Sequence, residues 1–311
     1  MNMRGFLFIC SLLLTSQIFA VDYFWVGNGG NWSDLSHWAS SSGGAGVAFG
    51  TQPTTSDNVH FDVNSFSIGG QTVTVDINGF CDDLDFTGVS NNPTFDGGAA
   101  IDIEVGRSIV FVAGFTHSYT GEYEFTSGAA ETITSAGQSF NNNIEFNGTA
   151  GSWTLTDVFT INGEIGIQRG TLDFSGFDVT ATSIDANRGT QMREIDFGGS
   201  EVDITGTGTV LDLQGNTTSL TVTTAGSTIT FTNTGDVTVE AGSATKTLPN
   251  LTFNSTNDVR VNTGGVEDNT NRITFGDIVA VGDGVDIRFD GDYDDNNVKT
   301  FGSITYGNNC R

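Results

Sequence analysis

Alternating carboxylates near the C-terminus are the best candidates for metal chemistry in this sequence. Asp290, Asp292 and Asp294 occupy every second position, as in the first half of an EF-hand-type calcium loop. The sixth place of that loop is Asp295 instead of glycine, and the twelfth is Phe301 instead of glutamate. We therefore favour a solvated turn, with Ca²⁺ bound by the three aspartates as the alternative, and we predict no other cofactor.

A second set of acids has the composition of a catalytic site for carbohydrate cleavage. Asp85, Asp173 and Asp196 each occupy the polar position of a recurring strand unit. Acids held a defined distance apart on neighbouring coils cleave glycosidic bonds when one of their pKa values is raised. We favour a solvated acidic stripe, because lyases of this kind also need a basic residue near the acids. Only 11 lysines and arginines are present in the whole chain.

The histidines give no sign of nucleophilic or metal chemistry. His37, His60 and His117 are each isolated among polar or aromatic neighbours. The sequence has no Ser-His-Asp order, H-E-x-x-H motif or C-x-x-C spacing. We therefore predict that the protein is not an enzyme.

Three of the four tryptophans lie within fourteen residues at the start of the predicted mature chain. Trp25, Trp32 and Trp38 could stack on sugars if their rings are exposed. The favoured interpretation is a hydrophobic plug that covers the first coil. Extracellular glycans or other surface proteins are the partners that this composition suggests.

Thr-x-Thr pairs recur along the chain and suggest an ice-binding face as a minor alternative. Their irregular spacing argues against one flat rank, and outward threonines are common in strands. The pairs are Thr72/Thr74, Thr132/Thr134, Thr154/Thr156, Thr180/Thr182, Thr221/Thr223 and Thr228/Thr230.

The first twenty residues are predicted to be a secretory signal peptide. Arg4 precedes an apolar run from Phe6 to Leu14, and Ala20 ends a more polar stretch suited to cleavage. The apolar run is about half the ~20 residues that a membrane span requires. We therefore expect a secreted or outer-surface protein with no transmembrane segment after cleavage.

The charge of the mature chain excludes one class of partner. Removing Arg4 leaves ten basic and 37 acidic residues, a net charge of −27. Binding to phosphates requires basic residues, so we predict no nucleic-acid partner. Divalent cations or cationic polymers would be attracted instead. The remaining cysteines, Cys81 and Cys310, lie 229 positions apart, and we favour buried thiols over a disulfide.

A short recurring unit indicates the architecture that positions these residues. It consists of an aliphatic residue, a polar residue and an aromatic residue, and in several copies a glycine follows that turns the chain. Alternation with period two places the apolar side chains on one face of a strand. The units are Val59/Phe61, Leu84/Phe86, Ile144/Phe146, Leu172/Phe174, Ile195/Phe197, Ile229/Phe231, Leu251/Phe253, Ile273/Phe275, Ile287/Phe289 and Ile304/Tyr306.

Successive units lie mostly 22 to 34 residues apart, which is the spacing expected when each repeat is one turn of a solenoid. We predict an all-β, right-handed parallel β-helix of some nine to eleven turns. Tandem β-sandwiches are the competing fold. The solenoid is favoured because no Pro-rich hinge divides the chain and because asparagines cluster beside the strands. Those clusters are Asn141 to Asn143, Asn296-Asn297 and Asn308-Asn309.

The opening segment carries a family resemblance. The Trp-rich stretch from Tyr23 to Trp38 is followed by the run from Pro53 to Asp62, then by Val73-Thr74-Val75-Asp76 and by the stretch from Cys81 to Gly88. This series resembles bacterial secreted parallel β-helix surface proteins, of the autotransporter-like and type IX-exported, repetitive adhesin-like kinds. The resemblance is most specific over residues 23–88 and weak beyond.

The resemblance implies an extracellular β-helix that belongs to a larger surface protein. We expect a signal peptide at 1–20, a Trp-rich cap at 21–58 and a β-solenoid at 59–311 that is truncated at its C-terminus. Further coils or an anchoring domain are expected beyond Arg311. The expected function is a structural or adhesin-like rod, and the alternative is a carbohydrate-active lyase or hydrolase that uses aspartates.

Overall fold

The computed structural model of the protein describes residues 20–214, 219–233, 235–242, 245–254, 258–263, 272–281, 285–290 and 298–306. The predicted signal peptide lies almost entirely outside these residues and stays a prediction. Within them the chain forms 33 short strands, numbered β1 to β33 in chain order, and two 3₁₀ turns at Leu35–His37 and Ser42–Gly44.

The strands stack into a parallel β-helix. Neighbouring strands pair in parallel, except that β1 (Asp22–Trp25) also pairs antiparallel with β3 (Trp38–Ala39). The predicted solenoid is therefore confirmed. Tandem sandwiches are wrong, because the sheets of a sandwich are antiparallel.

Each turn of the helix passes through three faces in a fixed order. The first face contains β1 (Asp22–Trp25), β4 (Asn58–His60), β7 (Leu84–Asp85), β10 (Ile109–Val110), β13 (Ala130–Thr134), the end of β15 (Ile144–Leu155), the end of β17 (Glu164–Asp173), β20 (Arg193–Asp196), β23 (Leu220–Thr223), β26 (Lys246–Thr247), β29 (Arg272–Phe275) and β32 (Val298–Phe301).

The second face follows the first after a corner. It contains β2 (Gly30–Asn31), β5 (Thr72–Val75), β8 (Thr94–Gly97), β11 (Thr116–His117), β14 (Ser139–Phe140), β16 (Phe159–Ile161), β18 (Val179–Ala181), β21 (Glu201–Ile204), β24 (Thr228–Phe231), β27 (Asn250–Phe253), β30 (Ile278–Ala280) and β33 (Ile304–Tyr306).

The third face closes each turn and carries the candidate site. It contains β6 (Gly79–Cys81), β9 (Ile103–Val105), β12 (Tyr123–Phe125), the starts of β15 and β17, β19 (Ser183–Asp185), β22 (Gly208–Asp212), β25 (Val237–Glu240), β28 (Asp258–Asn262) and β31 (Asp286–Asp290).

The core is one continuous column of apolar side chains. Val59, Leu84, Ile109 and Ile133 follow one another in register on the first face, and none has any exposed surface. Their spacing of 24 or 25 residues is the length of one turn. Each rung alone could not bury its apolar face, so stacking supplies the burial that stabilises the solenoid.

The polar residue of the recurring unit has a specific role at the corners. The carboxylates of Asp85, Asp173 and Asp196 each accept a hydrogen bond from the backbone N–H two residues later, at 2.7 to 2.9 Å. Gly88 and Gly176, which follow in two of these units, have φ values of +81°, which only glycine adopts without strain. The predicted glycine turn is confirmed. Part of the acidity of the chain is therefore explained by turn formation.

The recurring unit does not mark one face. Leu84/Phe86 lies on the first face, Ile229/Phe231 on the second and Ile144/Phe146 on the third. All three faces need the same alternation of buried and exposed residues, so the same unit serves each of them. The spacing between units is therefore not always the length of a turn.

The first asparagine cluster binds between turns, as predicted. The side-chain amide of Asn142 donates to Thr120 O at 2.9 Å, and that of Asn162 on the next turn donates to Asn141 Oδ1 at 3.0 Å. Asn143 Oδ1 accepts from the backbone N–H of Glu164 at 2.9 Å. The other two clusters lie outside the described residues.

The Trp-rich segment is continuous with the stack. β1 pairs in parallel with β4, and β2 pairs in parallel with β5, so residues before 59 already form rungs. Trp38 packs edge-on against Trp25 and Trp32, with ring centroids 5.0 and 4.8 Å away. The Nε1–H of Trp38 donates to Trp32 O at 2.9 Å.

Candidate functional site

Acidic side chains form a file along the outside of the third face. Residues in register at its central outward position are Glu104, Glu124, Glu145, Gly166, Asp185, Asp212, Glu240 and Asn262. We call the six carboxylates in this series the acidic rank. Parallel strands lie about 4.8 Å apart, so like charges at successive rungs repel one another.

Gly166 creates a gap in the middle of the acidic rank. A side chain there would collide with Glu145, and its Cβ would lie 2.9 Å from Cζ of Arg188. The gap is therefore filled by a side chain from the following turn. The Arg188 guanidinium lies over the glycine and binds the carboxylates of Glu145, Glu164 and Asp185.

The arginine and its neighbouring acids line an open cleft of about 520 Å³. Nε of Arg188 lies 3.0 Å from Asp185 Oδ2, while its two terminal nitrogens bind Glu145 and Glu164. Glu122, Glu124 and Gln168 complete the polar wall. The cleft therefore combines several carboxylates with one basic residue.

Glu145 is the acid in the cleft whose ionisation is most altered. Burial raises the pKa of Glu145 to about 7, against the opposing effect of Arg188, and Glu122 and Glu124 raise it further. Burial likewise raises the pKa of Glu122. A carboxyl group that titrates near neutral pH can donate a proton to a leaving group and take one back.

The acids selected from sequence do not form this cleft. Asp173 and Asp196 are neighbours in register, but they lie on the first face. Asp85 is several turns away and lies 3.4 Å from His60 Nδ1. The residues that sequence reasoning missed, Glu145 and Arg188, are 43 positions apart. Only stacking of turns brings them together.

The calcium site stays a prediction, because the side chains of its three ligands are not among the described residues. Asp290 ends β31, and its side chain, like Asp292 and Asp294, lies outside the described residues. Within the described part of the chain, no group of three or more His, Cys, Asp or Glu residues is placed to hold a metal ion.

The three tryptophans are placed in the core. Trp25, Trp32 and Trp38 are at most 1% exposed. Stacking on a sugar needs an exposed ring face, so this burial contradicts the sugar-stacking prediction and agrees with the hydrophobic plug. The tryptophans are buried because the rings of Trp32 and Trp38 pack against Phe61 and close the end of the column of apolar side chains.

The histidines have structural contacts. His37 stacks on Trp25 with centroids 4.5 Å apart, and His60 lies between Asp22 and Asp85, at 3.2 and 3.4 Å. The hydrogen bond with Asp85 is the main cause that raises the pKa of His60, and burial opposes it. His117 is buried in the core. Cys81 is a buried free thiol, and Cys310 lies outside the described residues.

The Thr-x-Thr pairs are divided between two faces. Thr72/Thr74, Thr180/Thr182 and Thr228/Thr230 begin in strands of the second face, whereas Thr132/Thr134, Thr154/Thr156 and Thr221/Thr223 begin in strands of the first. On the second face, Asp203 occupies the rung between Thr180 and Thr230 and pairs in register with both. This division provides no single flat rank of threonines.

Replacing Arg188 with glutamine should destabilise the protein at pH 8 by about 2 kcal/mol, because three partly buried carboxylates lose their shared cation. The loss should shrink towards pH 5, since protonation of Glu145, whose pKa burial raises to about 7, removes its repulsion with the other two acids. Denaturant unfolding of the variant and the unmodified protein at pH 8 and pH 5 measures this loss of stability. Arg288→Gln is the matched control, because the half-exposed Arg288 pairs with exposed Asp258 and Asp286 and should cost under about 1 kcal/mol. Equal losses for both variants would contradict the prediction.

No family model matches this chain, and neither does any curated protein or solved structure. No helix in the described residues is long and apolar enough to cross a membrane. The function must therefore be argued from the faces of the solenoid themselves.

Proposed function

We propose that this protein is a non-catalytic structural or adhesin-like rod that is exported to a bacterial cell surface. The observation that carries the proposal is the uninterrupted stack of parallel rungs around one apolar column, which includes Val59, Leu84, Ile109 and Ile133. Such a stack makes a stiff body with long, repetitive outer faces. The predicted signal peptide and the resemblance over residues 23–88 support export.

The acidic rank is the surface through which such a rod would adhere. Five of its six carboxylates are half-buried and lie in register on the outer face, so a cationic polymer or Ca²⁺-bridged glycan could contact several of them at once. The sixth, Glu145, is buried and bound by Arg188. Multiple weak contacts of this kind give useful avidity without a deep pocket. The same rank would keep the rods apart from one another by charge repulsion.

A glycan and polymer array with purified residues 21–311, with and without Ca²⁺, tests this proposal. Binding that leaves every captured polymer intact supports an adhesive rod. Release of cleaved products would overturn the non-catalytic assignment. Absence of binding to every polymer would overturn the adhesive function and leave a structural spacer.

A second candidate function, a carbohydrate-active lyase or hydrolase, is favoured by the cleft around Glu145 and Arg188. Glu145 would act as the proton donor, and Glu124 on the preceding rung would supply a second carboxylate. Arg188 would orient the substrate and hold the ionised acids in place. The aspartates proposed from sequence have no part in this version of the site.

The test of this second function is the loss of product formation on changing Glu145 to glutamine. We expect kcat to fall at least ~100-fold, because glutamine can neither give nor accept the proton. Glu104→Gln, in the same rank but two rungs away, should change kcat less than ~3-fold, since it lies outside the cleft. Failure of the unmodified protein to release product from any polysaccharide would eliminate this candidate.

A further inference from the structure

A second cavity lies at the corner where the chain passes from the third face to the first. It has a volume of about 370 Å³. Its wall is formed where β15, β17 and β20 pass the corner on three successive turns. The residues relevant to binding are Ser152, Arg169, Thr171, Gln191, Arg193 and Glu194.

Two arginines line this cavity without an acidic partner. Neither Arg169 nor Arg193 has a carboxylate oxygen within 4.0 Å among the described residues, whereas Arg107, Arg188 and Arg288 all do. The chain has 37 acidic residues and only 11 basic ones. Two guanidinium groups that form no ion pair in one cavity are therefore unusual for this chain, although the charges of Asp185 and Asp212 also act on Arg193.

The guanidinium group of Arg193 also has fewer hydrogen-bond acceptors than it can use. The residue is 3% exposed, and its Nε and Nη1 donate to the backbone carbonyls of Ala186, Gly189 and Gln191. Its Nη2 is buried and has no hydrogen-bond acceptor within the described part of the chain. A buried guanidinium nitrogen without an acceptor is costly. Because Nη2 has almost no accessible surface, Arg193 acts on a ligand in the cavity through its charge and not by direct contact.

Arg169 repeats this pattern one turn earlier. Its Nη1 donates to Thr149 Oγ1 at 3.2 Å, and its Nε has no acceptor among the described residues. Gly170, the next residue, has a φ value of +87°, and a Cβ there would lie 2.8 Å from the carbonyl oxygens of Gly148 and Gly151. Glycine at position 170 therefore lets the two turns approach closely. This close approach holds the backbone of Arg169 at the wall of the cavity.

We propose that this cavity binds the carboxylate of an acidic sugar, such as one uronic-acid unit of a polysaccharide. The planar guanidinium of the half-buried Arg169 matches a carboxylate in shape and charge, and Arg193 adds a second positive charge behind the wall. The hydroxyls of Ser152 and Thr171 and the Gln191 amide provide polar groups suited to sugar hydroxyls. Glu194 in the same wall repels a dianion such as inorganic phosphate more strongly than the single charge of a carboxylate.

The site is independent of both functions proposed above, because it shares no lining residue with the cleft around Glu145. A rod would use it to hold an acidic glycan, and an enzyme would use it to anchor one next to the cleft. Met192, which is 70% exposed, lies at the same wall and provides an apolar surface for the carbon face of a sugar ring.

Binding of trigalacturonate to the whole chain, measured by calorimetry, tests the proposal. We expect saturable binding, no binding of neutral maltotriose, and at least ~10-fold weaker binding of trigalacturonate by Arg169→Gln. Arg169→Lys should weaken binding less, because it keeps the charge but loses the planar fork. Arg107→Gln should leave binding unchanged, since Arg107 lies among its own acidic partners on another turn.

Three results would overturn this proposal. They are no binding of trigalacturonate up to ~10 mM, equal affinity in the Arg169→Gln variant, and displacement of the sugar by inorganic phosphate at lower concentration. Circular dichroism and the melting temperature of each variant show whether it is folded. If the Arg169→Gln variant is not folded, the Arg169→Lys variant replaces it. Equal affinity of the Arg169→Lys variant and the unmodified protein for trigalacturonate would then overturn the proposal.

Discussion

Replacing Trp38 with alanine is expected to lower the free energy of unfolding of the first turns by about 4 kcal/mol. The ring is fully buried, packs edge-on against Trp25 and Trp32, and donates a hydrogen bond to Trp32 O. Its removal would leave a cavity at the end of the apolar column. Because stability in a solenoid is local to neighbouring turns, the loss should be largest there.

Hydrogen exchange resolved by segment measures this effect. Amides of β4, such as the Val59 N–H that donates to Asp83 O, should exchange faster, and those of β24 and β27 should change little. Phe80→Ala is the matched control, because this aromatic ring is 39% exposed and should cost under about 1 kcal/mol. A variant that keeps full protection but loses glycan binding would instead restore a sugar-binding role for the tryptophan.

The fold could be predicted from sequence because it depends on a local pattern. Alternation in units such as Leu84-Asp85-Phe86 fixes which side chains point inward, and the following glycine fixes the turn. The assignment of units to faces could not be predicted, since the three faces share one pattern and corners differ in length. The corner between β19 and β20 spans residues 186–192, whereas β6 and β7 are separated by only two residues.

Only the type of residue in the candidate site, and its position in the recurring unit, could be predicted from the sequence. The sequence indicated acids at the polar position of the unit, and Glu124 and Glu145 do occupy that position between Tyr123 and Phe125 and between Ile144 and Phe146. What it could not indicate is which of the many acids meet an arginine. That depends on the register of stacked turns and on Gly166, whose missing side chain admits Arg188.

The unpaired arginines at the corner were missed for a similar physical reason. Arg169 and Arg193 are 24 positions apart, and neither lies in a recognisable motif. In a strongly acidic chain the natural expectation is that every arginine has a carboxylate partner. The backbone of the corner instead directs Arg193 towards three carbonyl oxygens, which satisfy hydrogen bonds without supplying negative charge.

Acidification is expected to destabilise the protein through His117, by about 2 kcal/mol at pH 5 and about 3 kcal/mol at pH 4 relative to pH 7. Burial lowers the pKa of His117 from 6.5 to about 4, and the hydrogen bond to Ser139 O opposes this. Between these values the unfolded chain binds the proton and the folded protein does not. This contribution to stability is therefore complete above pH 6.5 and lost as the pH falls.

The surroundings of His117 explain why its charged form is disfavoured. Nδ1 lies 2.7 Å from Ser139 O, so this nitrogen carries the proton, and Nε2 accepts from the Tyr123 hydroxyl at 2.8 Å. Phe111 and Phe140 cover the ring, with centroids 5.0 and 5.5 Å away. A second proton on Nε2 would oppose the hydroxyl proton and place a charge among aromatic rings.

The double variant His117→Phe, Tyr123→Phe separates this effect from general acid unfolding. It removes the titrating group and also the hydroxyl that would otherwise lose its acceptor, while it nearly keeps the volume of the core. Carboxylates such as Glu145 titrate in both proteins, so the difference between the two stability curves isolates His117. That difference should change by about 3 kcal/mol between pH 7 and pH 4. Parallel curves would show that His117 is protonated at no cost, and its burial among aromatic rings would then not be what holds it neutral.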